Sequence, residues 1–247
     1  MLDQHFMTDT ELLKEITKVA DLNKTDTVLE IGAGTGNLTF YIQKIAKEVT
    51  VIEKDKKLIE ILSEEFSHAK NLTIINADAV AAEFPKFNKC VSNLPYTICE
   101  PLMWKFTRYK FERLVFVLPK GFAELLLGKK PSRLKLLVDA FYEVEYIQDV
   151  LPSSFEPQPK VMSALIRITP KKEGNFFLRE FFAQYDKKTK NALREILMKA
   201  GLSKSEAKEQ ILLKIKPSLL EKNIVILSLE EIKEVIKGFT GKEKQSL

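Results

Sequence analysis

Between Thr27 and Ala46 the chain changes character within a few residues. A short apolar run, TVLEI, meets glycines at 32, 34 and 36, and a helical pattern, NLTFYIQKIA, follows at once. A glycine-rich turn wedged between strand and helix belongs to sheets whose strands are linked by helical crossovers. The next hundred residues repeat that rhythm. EVTVIEKD, LTIINADA, KCVSNLP and RLVFVLP read as strands, and KLIEILSEEF and EPLMWKFTR as helices, the latter entered through Glu100-Pro101 with proline in the first turn. The predicted fold is α/β, a doubly wound parallel sheet with helices on both faces, preceded by an amphipathic helix over 11–22.

From about residue 131 the rhythm changes. SRLKLLVDAFY reads as a helix. VEYIQDV and MSALIRITP, joined by the proline-rich LPSSFEPQPKV, read as an antiparallel hairpin at the sheet edge. Beyond Pro170 only helical patterns remain, so the expected division is a sheet domain over 1–170 and a small all-helical C-terminal domain over 171–247. Charge divides at the same place. Residues 171–247 carry 17 Lys and Arg against 11 Asp and Glu, and the preceding residues 22 against 23. Either a surface for a polyanion or a solvated lysine-rich helical face accounts for this excess. No run of 18 apolar residues occurs, and the first residues lack the apolar core of a secretory signal. Two cysteines, Cys90 and Cys99, and two histidines suit neither a disulfide framework nor a metal site. A reduced, cytoplasmic, metal-free and monomeric protein is expected, with no membrane partner.

The glycine loop allows close backbone approach to a ligand, and the helix N-terminus behind it favours polar or anionic groups. The third glycine of a dinucleotide fingerprint is replaced by Asn37, and no Gly-Lys-Ser/Thr follows for a triphosphate. Glu53 ends the second strand of the alternation. It can accept both hydroxyls of a ribose or stand as a solvated strand-end acid. Asp78 ends the third strand, where it can take the exocyclic amine of an adenine or cap a helix. Gly32, Gly34, Glu53 and Asp78 thus share the carboxyl edge of the sheet, and a nucleoside without phosphates fits them best.

The fourth strand brings SNLPYT to the same edge. An adenine N6 attacks poorly because its lone pair is delocalised, and acceptors on its two N–H groups draw it toward a tetrahedral shape. The Asn93 side-chain oxygen and the Leu94 carbonyl suit that role. Pro95 fixes the turn, and Tyr96 offers a ring on which a base can stack. The bland alternative is a tight turn with a capping Asn and a core Tyr.

The glycine loop, Glu53 and Asp78 together resemble the class I (Rossmann-like) S-adenosylmethionine-dependent methyltransferases, and Asn93-Leu94-Pro95-Tyr96 resembles the motif of adenine amino-methyltransferases. QHFMTD (4–9) and FEPQPKVMSALIRI (155–168) extend the similarity to the ribosomal RNA adenine N6,N6-dimethyltransferases of the KsgA/Dim type. That resemblance implies S-adenosylmethionine as cofactor, with S-adenosylhomocysteine as product. It implies cofactor contacts from Gln4, His5, Met7, Gly32, Gly34, Glu53, Lys54, Asp78, Ala79 and Asn93. Catalytic roles fall to Asn93, Leu94, Pro95 and Tyr96, with Phe155 held outward on the target adenine opposite Tyr96. The implied partner is ribosomal RNA in a small-subunit precursor, and the implied reaction is dimethylation of two adjacent adenosines near its 3′ end. The chain departs from the family at His5, which replaces Asn, and at Met7, which replaces Leu. LPKGFAELL also lacks the usual Gln-Lys-Glu. An Erm-type enzyme acting on large-subunit RNA, or an assembly factor that keeps the fold without turnover, are the alternatives.

Overall fold

The computed structural model describes residues 4–128, 132–171 and 176–239. In the first part, α1 (Thr10–Val19) starts at Asp9, whose carboxylate accepts the Glu11 and Leu12 N–H groups at 3.1 Å. The helix buries Leu12, Leu13 and Ile16. The strands β2 (Thr27–Ile31), β3 (Glu48–Glu53) and β4 (Leu72–Asn76) alternate with α2 (Asn37–Ile45) and α3 (Lys56–Glu65). β5 (Lys89–Asn93), α4 (Cys99–Phe106), β6 (Arg113–Pro119) and α5 (Lys120–Leu126) continue the pattern. After α6 (Arg133–Phe141) come β7 (Tyr142–Val150) and β9 (Ser163–Pro170).

The sheet order is β4-β3-β2-β5-β6-β9-β7. The first five strands are parallel, β9 runs antiparallel to β6, and β7 antiparallel to β9, so the expected hairpin forms, with β7 outermost. β2, fully apolar apart from Thr27 and Glu30, runs through the middle with Val28, Leu29 and Ile31 buried, as a strand covered on both faces requires. The chain leaves β2 toward β3 and β4 on one side and returns to β5 and β6 on the other. β2 and β5 pair only at Val28–Lys89 and Leu29–Cys90 and then part. The Ser92 hydroxyl takes over from the ladder, accepting the Ile31 N–H at 2.8 Å. A crevice at the carboxyl ends of strands that diverge at a change of winding direction is where such sheets bind ligands.

A second, two-residue sheet lies apart from the first. β1 (Phe6–Met7) runs antiparallel to β8 (Phe155–Glu156), pairing Phe6 with Glu156 and Met7 with Phe155. It straps residues 4–8 to the proline-rich loop, helped by the Thr8 N–H donating to the Ser154 carbonyl and the Ser154 hydroxyl to Asp9, both at 2.9 Å.

The chain forms two compact units, Met1–Lys129 with Tyr142–Pro170, and Lys130–Phe141 with Lys171–Leu247. Residues 130–141, counted with the sheet domain on sequence pattern, therefore group with the helical unit. The Phe141 carbonyl accepts the Lys171 N–H, the Asp139 carbonyl accepts Lys171 Nζ, each at 2.8 Å, and the Arg133 guanidinium donates to the Val225 carbonyl. The helical unit also contains α7 (Phe176–Phe182), α8 (Thr189–Lys199), α9 (Lys204–Lys214), α10 (Pro217–Leu220) and α11 (Leu229–Phe239). Phe177 stacks on Phe181 and Phe239, and Leu193, Ile196, Ile232 and Val235 fill its interior. Much of its basic charge is already paired, in Lys187–Glu195, Lys188–Glu221, Lys190–Glu221, Lys199–Glu180, Lys216–Glu234 and Lys222–Glu231. Lys172, Glu173, Lys242, Glu243 and Lys244 also count in its charge balance but lie outside the described residues. No helix among the described residues is long and apolar enough to cross a membrane. Among those residues no three His, Cys, Asp or Glu side chains are placed to hold a metal ion.

Candidate active site

The carboxyl ends of β2, β3, β4 and β5 enclose a cavity of about 690 Å³, within the usual range for a small-molecule site. Gln4, His5, Met7, Gly32, Gly34, Glu53, Lys54, Asp78, Ala79, Asn93, Leu94, Pro95 and Tyr96 all line it.

Its floor is the glycine loop. Gly34 has φ +59°, and a Cβ there would lie 2.7 Å from the Phe6 ring. Any side chain would push the strap away from the loop. Beside it, the Glu53 carboxylate organises backbone: Oε2 accepts the Gly34 N–H at 3.2 Å, and Oε1 accepts those of Lys54 and Asp55 at 2.8 and 3.0 Å. Asp78 is similarly tied, through Lys54 Nζ at 2.7 Å and the Val80 N–H at 2.9 Å, and these bonds hold its carboxyl below the usual range. Asp78 caps the turn that follows and stays 38% exposed at the cavity.

The opposite wall is the tip of β5. The Leu94 N–H donates to the Val117 carbonyl at 3.0 Å, which fixes the turn on β6. The Tyr96 hydroxyl lies 2.5 Å from the Ser163 hydroxyl on β9. Asn93 Nδ2 donates to the His5 carbonyl at 3.0 Å, and its Oδ1 is buried with no hydrogen-bond partner. A buried amide oxygen left unpaired costs about 1–3 kcal/mol and asks for a reason.

One expected site residue is elsewhere. Phe155 does not stand outward at the cavity. It is 2% exposed and packs in the apolar core with Met7, Val117, Val150 and Leu165. The cause is the β1–β8 pairing, which sets Phe155 opposite buried Met7 and turns its ring inward.

Three polar residues not expected from the sequence, Glu30, Asn37 and Lys105, adjoin these. Glu30, 1% exposed inside β2, lines the cavity; burial raises its carboxyl to about 8, against the Thr39 hydroxyl that donates to it at 2.6 Å. A lone acid inside an apolar strand run was its signal in the sequence. Asn37 donates its amide to the Met7 carbonyl at 2.7 Å, and Gln4 donates its own to Asp55 at 3.2 Å, so both hold the strap down. Lys105, on the inner face of α4, is 6% exposed. Its ammonium donates to the carbonyls of Ala79 (2.7 Å), Val80 (3.2 Å) and Ala82, directly behind Asp78, and lies 4.1 Å from the Phe84 ring centroid. Burial lowers its pKa. The two thiols take no part. Cys90 and Cys99 are both buried, and burial pushes both up, Cys99 to about 12.

The cavity therefore has bound backbone and acids on one wall and, on the other, the residue whose buried amide oxygen is unpaired. Comparison with known proteins gives the family. The family model "Ribosomal RNA adenine dimethylase" matches residues 1–234. A probable ribosomal RNA small subunit methyltransferase A of Pyrococcus abyssi is 38% identical over 243 residues, covering 95% of this chain and 89% of its own. The protein of the same description from Methanosarcina mazei is 34% identical over 94% of this chain and 90% of its own. Among solved structures, a dimethyladenosine transferase of Plasmodium falciparum superposes with a TM-score of 0.67 at 27% identity, covering 95% of this chain and 97% of its own. The 23S rRNA methyltransferase ErmE shares the fold, with a TM-score of 0.64 at 22% identity over 94% and 98% of the two chains.

Proposed function

The chain belongs to the ribosomal RNA adenine dimethylase family, and we propose that it transfers two methyl groups from S-adenosylmethionine to N6 of each of two adjacent adenosines near the 3′ end of small-subunit ribosomal RNA. Its relatives are described as small-subunit methyltransferases.

The cavity fits the methyl donor on its own evidence. The glycine loop brings backbone to the cavity, with Gly34 at φ +59°, Glu53 and Asp78 stand beside neighbouring strand ends on one sheet edge, and no Gly-Lys-Ser/Thr follows the loop for phosphates. Gly32, Gly34 and Gln4 would hold the amino-acid portion, Glu53 the ribose hydroxyls, and Asp78 with Ala79 the base. When bound there, the donor supplies an electrophilic sulfonium methyl.

The unpartnered Oδ1 of Asn93 carries the assignment of the reacting end. With Nδ2 committed to the His5 carbonyl, the amide cannot turn, so Oδ1 is presented as an acceptor. An adenine N6–H satisfies it. The Leu94 carbonyl takes the second N–H, and the pair draws the nitrogen out of conjugation and absorbs the positive charge that grows on it. No general base is needed before attack; positioning and acceptor geometry do the work. As the methyl moves from sulfur to nitrogen, S-adenosylhomocysteine is left and the cationic N6 releases one proton to water; N6 then keeps a single N–H, which still finds an acceptor once the new methyl rotates away, so the same wall serves the second transfer. The base has to leave its stack to reach this depth, so the substrate is single-stranded loop RNA.

The test is methyl transfer to particles from a strain lacking the modification. Wild-type protein is expected to label small-subunit particles, and Asn93→Ala to lose transfer by about 10²–10³-fold while binding S-adenosylmethionine normally by calorimetry. Labelling of large-subunit particles instead would overturn the substrate, and near-normal turnover by Asn93→Ala would overturn the site.

A further inference from the structure

The turn that carries Asp78 has a buried support of its own. Resting on the reading of Asp78 as the acceptor of the donor's adenine amine, we infer that Lys105 is a positioning residue that gives the site its preference for adenine, by fixing the turn on which Asp78 and Ala79 stand.

Residues 78–82 make one tight turn. The Ala81 and Ala82 N–H groups donate to the Asp78 carbonyl at 3.0 and 2.8 Å, and the Val80 N–H donates to Asp78 Oδ1 at 2.9 Å. Asp78 and Ala79 line the cavity. The carbonyls of Ala79, Val80 and Ala82 all meet the Lys105 ammonium on α4. An ammonium has three N–H groups, and here it faces three carbonyls. That match leaves Lys105 no donor for a ligand, and it is not among the residues that line the cavity. Its influence on the donor therefore passes through the turn.

The surroundings make the ammonium hard to replace. Lys105 is buried, and the Phe84 ring beside its Nζ packs against Phe87 and Phe106. Carbonyls bared among such rings would lack a donor, and the turn would have to shift to find one. Burial lowers the lysine's pKa, and the Glu83 and Asp78 carboxylates oppose that fall. Asp78 is thus held twice, by Lys54 Nζ at its carboxylate and by Lys105 through the backbone. A hydrogen bond weakens steeply as its angle closes, so a shifted turn costs the adenine amine more than the rest of the donor. α4 begins at Cys99, just beyond Tyr96, so the helix that leaves the target wall also backs the wall for the donor's base.

The experiment is calorimetric titration of the full-length protein with S-adenosylhomocysteine and with S-inosylhomocysteine, whose hypoxanthine carries an oxygen in place of the amine. Wild type is expected to prefer the adenine compound about 10–100-fold, the worth of a hydrogen bond to a charged group. Lys105→Met is expected to weaken the adenine compound about tenfold and the hypoxanthine compound by less than twofold. Asp78→Asn is expected to lose most of the preference, and adding Lys105→Met to it to change the preference by less than twofold, because the two act on one contact. Lys105→Gln, whose amide still serves part of the carbonyl set, is measured beside them; a selective loss of about threefold carries the inference should the methionine variant not fold. Equal weakening of both compounds would make Lys105 a structural prop and overturn the inference, as would an unchanged preference in either folded variant. If Asp78→Asn loses the preference while the Lys105 variants keep it, only the role of Lys105 is wrong. If wild type shows no preference, the reading of Asp78 falls as well.

Discussion

At its first residue β5 buries the ammonium of Lys89, and at its last the Oδ1 of Asn93. Lys89 is 4% exposed, and its Nζ donates to Asp26 Oδ2 at 2.9 Å and to the Asp21 carbonyl. Asp26 takes a further 2.8 Å bond from the Asn88 amide. Burial pushes the Asp26 carboxyl upward, but the bonds from Asn88 and Lys89 outweigh it and hold it low. Asn93 has its donor satisfied and its acceptor bare. One strand thus carries a closed polar cluster and an open one. The closed cluster locks β5 to the start of β2 and has nothing left to give a ligand. The open one leaves a buried amide oxygen unpaired at the strand tip that borders the cavity.

Breaking the open end has the largest effect on transfer. Beside the loss expected for Asn93→Ala, Asn93→Asp is expected to be nearly as inactive although it retains an oxygen. Its carboxylate cannot donate to the His5 carbonyl and turns away from it; single-turnover labelling would show this, and activity close to wild type would mean the amide donor is dispensable. Breaking the closed end moves stability instead. Lys89→Met strands the Asp26 carboxylate in the interior and is expected to cost about 3–5 kcal/mol in denaturant unfolding. Transfer per folded molecule should stay unchanged.

Lys105 lies between these extremes and sharpens the contrast. It is buried and bonded, like Lys89, but its partners are the carbonyls of the turn behind Asp78. Lys105→Met is expected to weaken S-adenosylmethionine about tenfold by calorimetry, since the adenine wall loses its backing, with kcat at saturating donor within twofold. A fall in kcat with unchanged affinity would place its role elsewhere.

Glu30 lines the cavity, yet its replacement is expected to act on stability through pH rather than on transfer. Its carboxyl is raised from 4.5 to about 8 by burial, so the folded state holds a proton that the unfolded state releases. That contribution is complete below about pH 4.5 and is lost as pH rises toward 8. Glu30→Gln is expected to leave transfer within twofold and to flatten the decline in thermal midpoint between those two values. A parallel decline in both proteins would show that Glu30 is not protonated in the fold.

Much of this was legible in the chain itself. The strand–helix rhythm, the edge hairpin and the convergence of Gly32, Glu53, Asp78 and Asn93 follow from local pattern plus one rule of winding, because each acid or amide ends an apolar run. What escaped depends on long-range pairing. A two-residue strand such as β1 has no periodicity to read, so its union with β8, and the inward turn of Phe155 that follows, could not be seen in a proline-rich loop that looks exposed. Residues 130–141 look the same in sequence whichever unit they pack with. The lysine-rich segment after Pro170 reads in sequence either as a surface for a polyanion or as a solvated helical face, and which of its lysines are paired could not be seen: six face carboxylates 8 to 33 residues away. Lys105 did leave a sign, a single cation in the apolar stretch PLMWKF, which only makes sense if its charge is spent indoors.

The two sheltered sulfurs offer an internal clock. With both thiols buried and kept protonated, an alkylating reagent can reach them only in molecules that have opened. Cys90 sits mid-strand in the sheet and Cys99 begins the helix just past Tyr96. Peptide-resolved alkylation times would therefore separate global opening from loosening of the wall beside the target amine, in the native protein and without any added label.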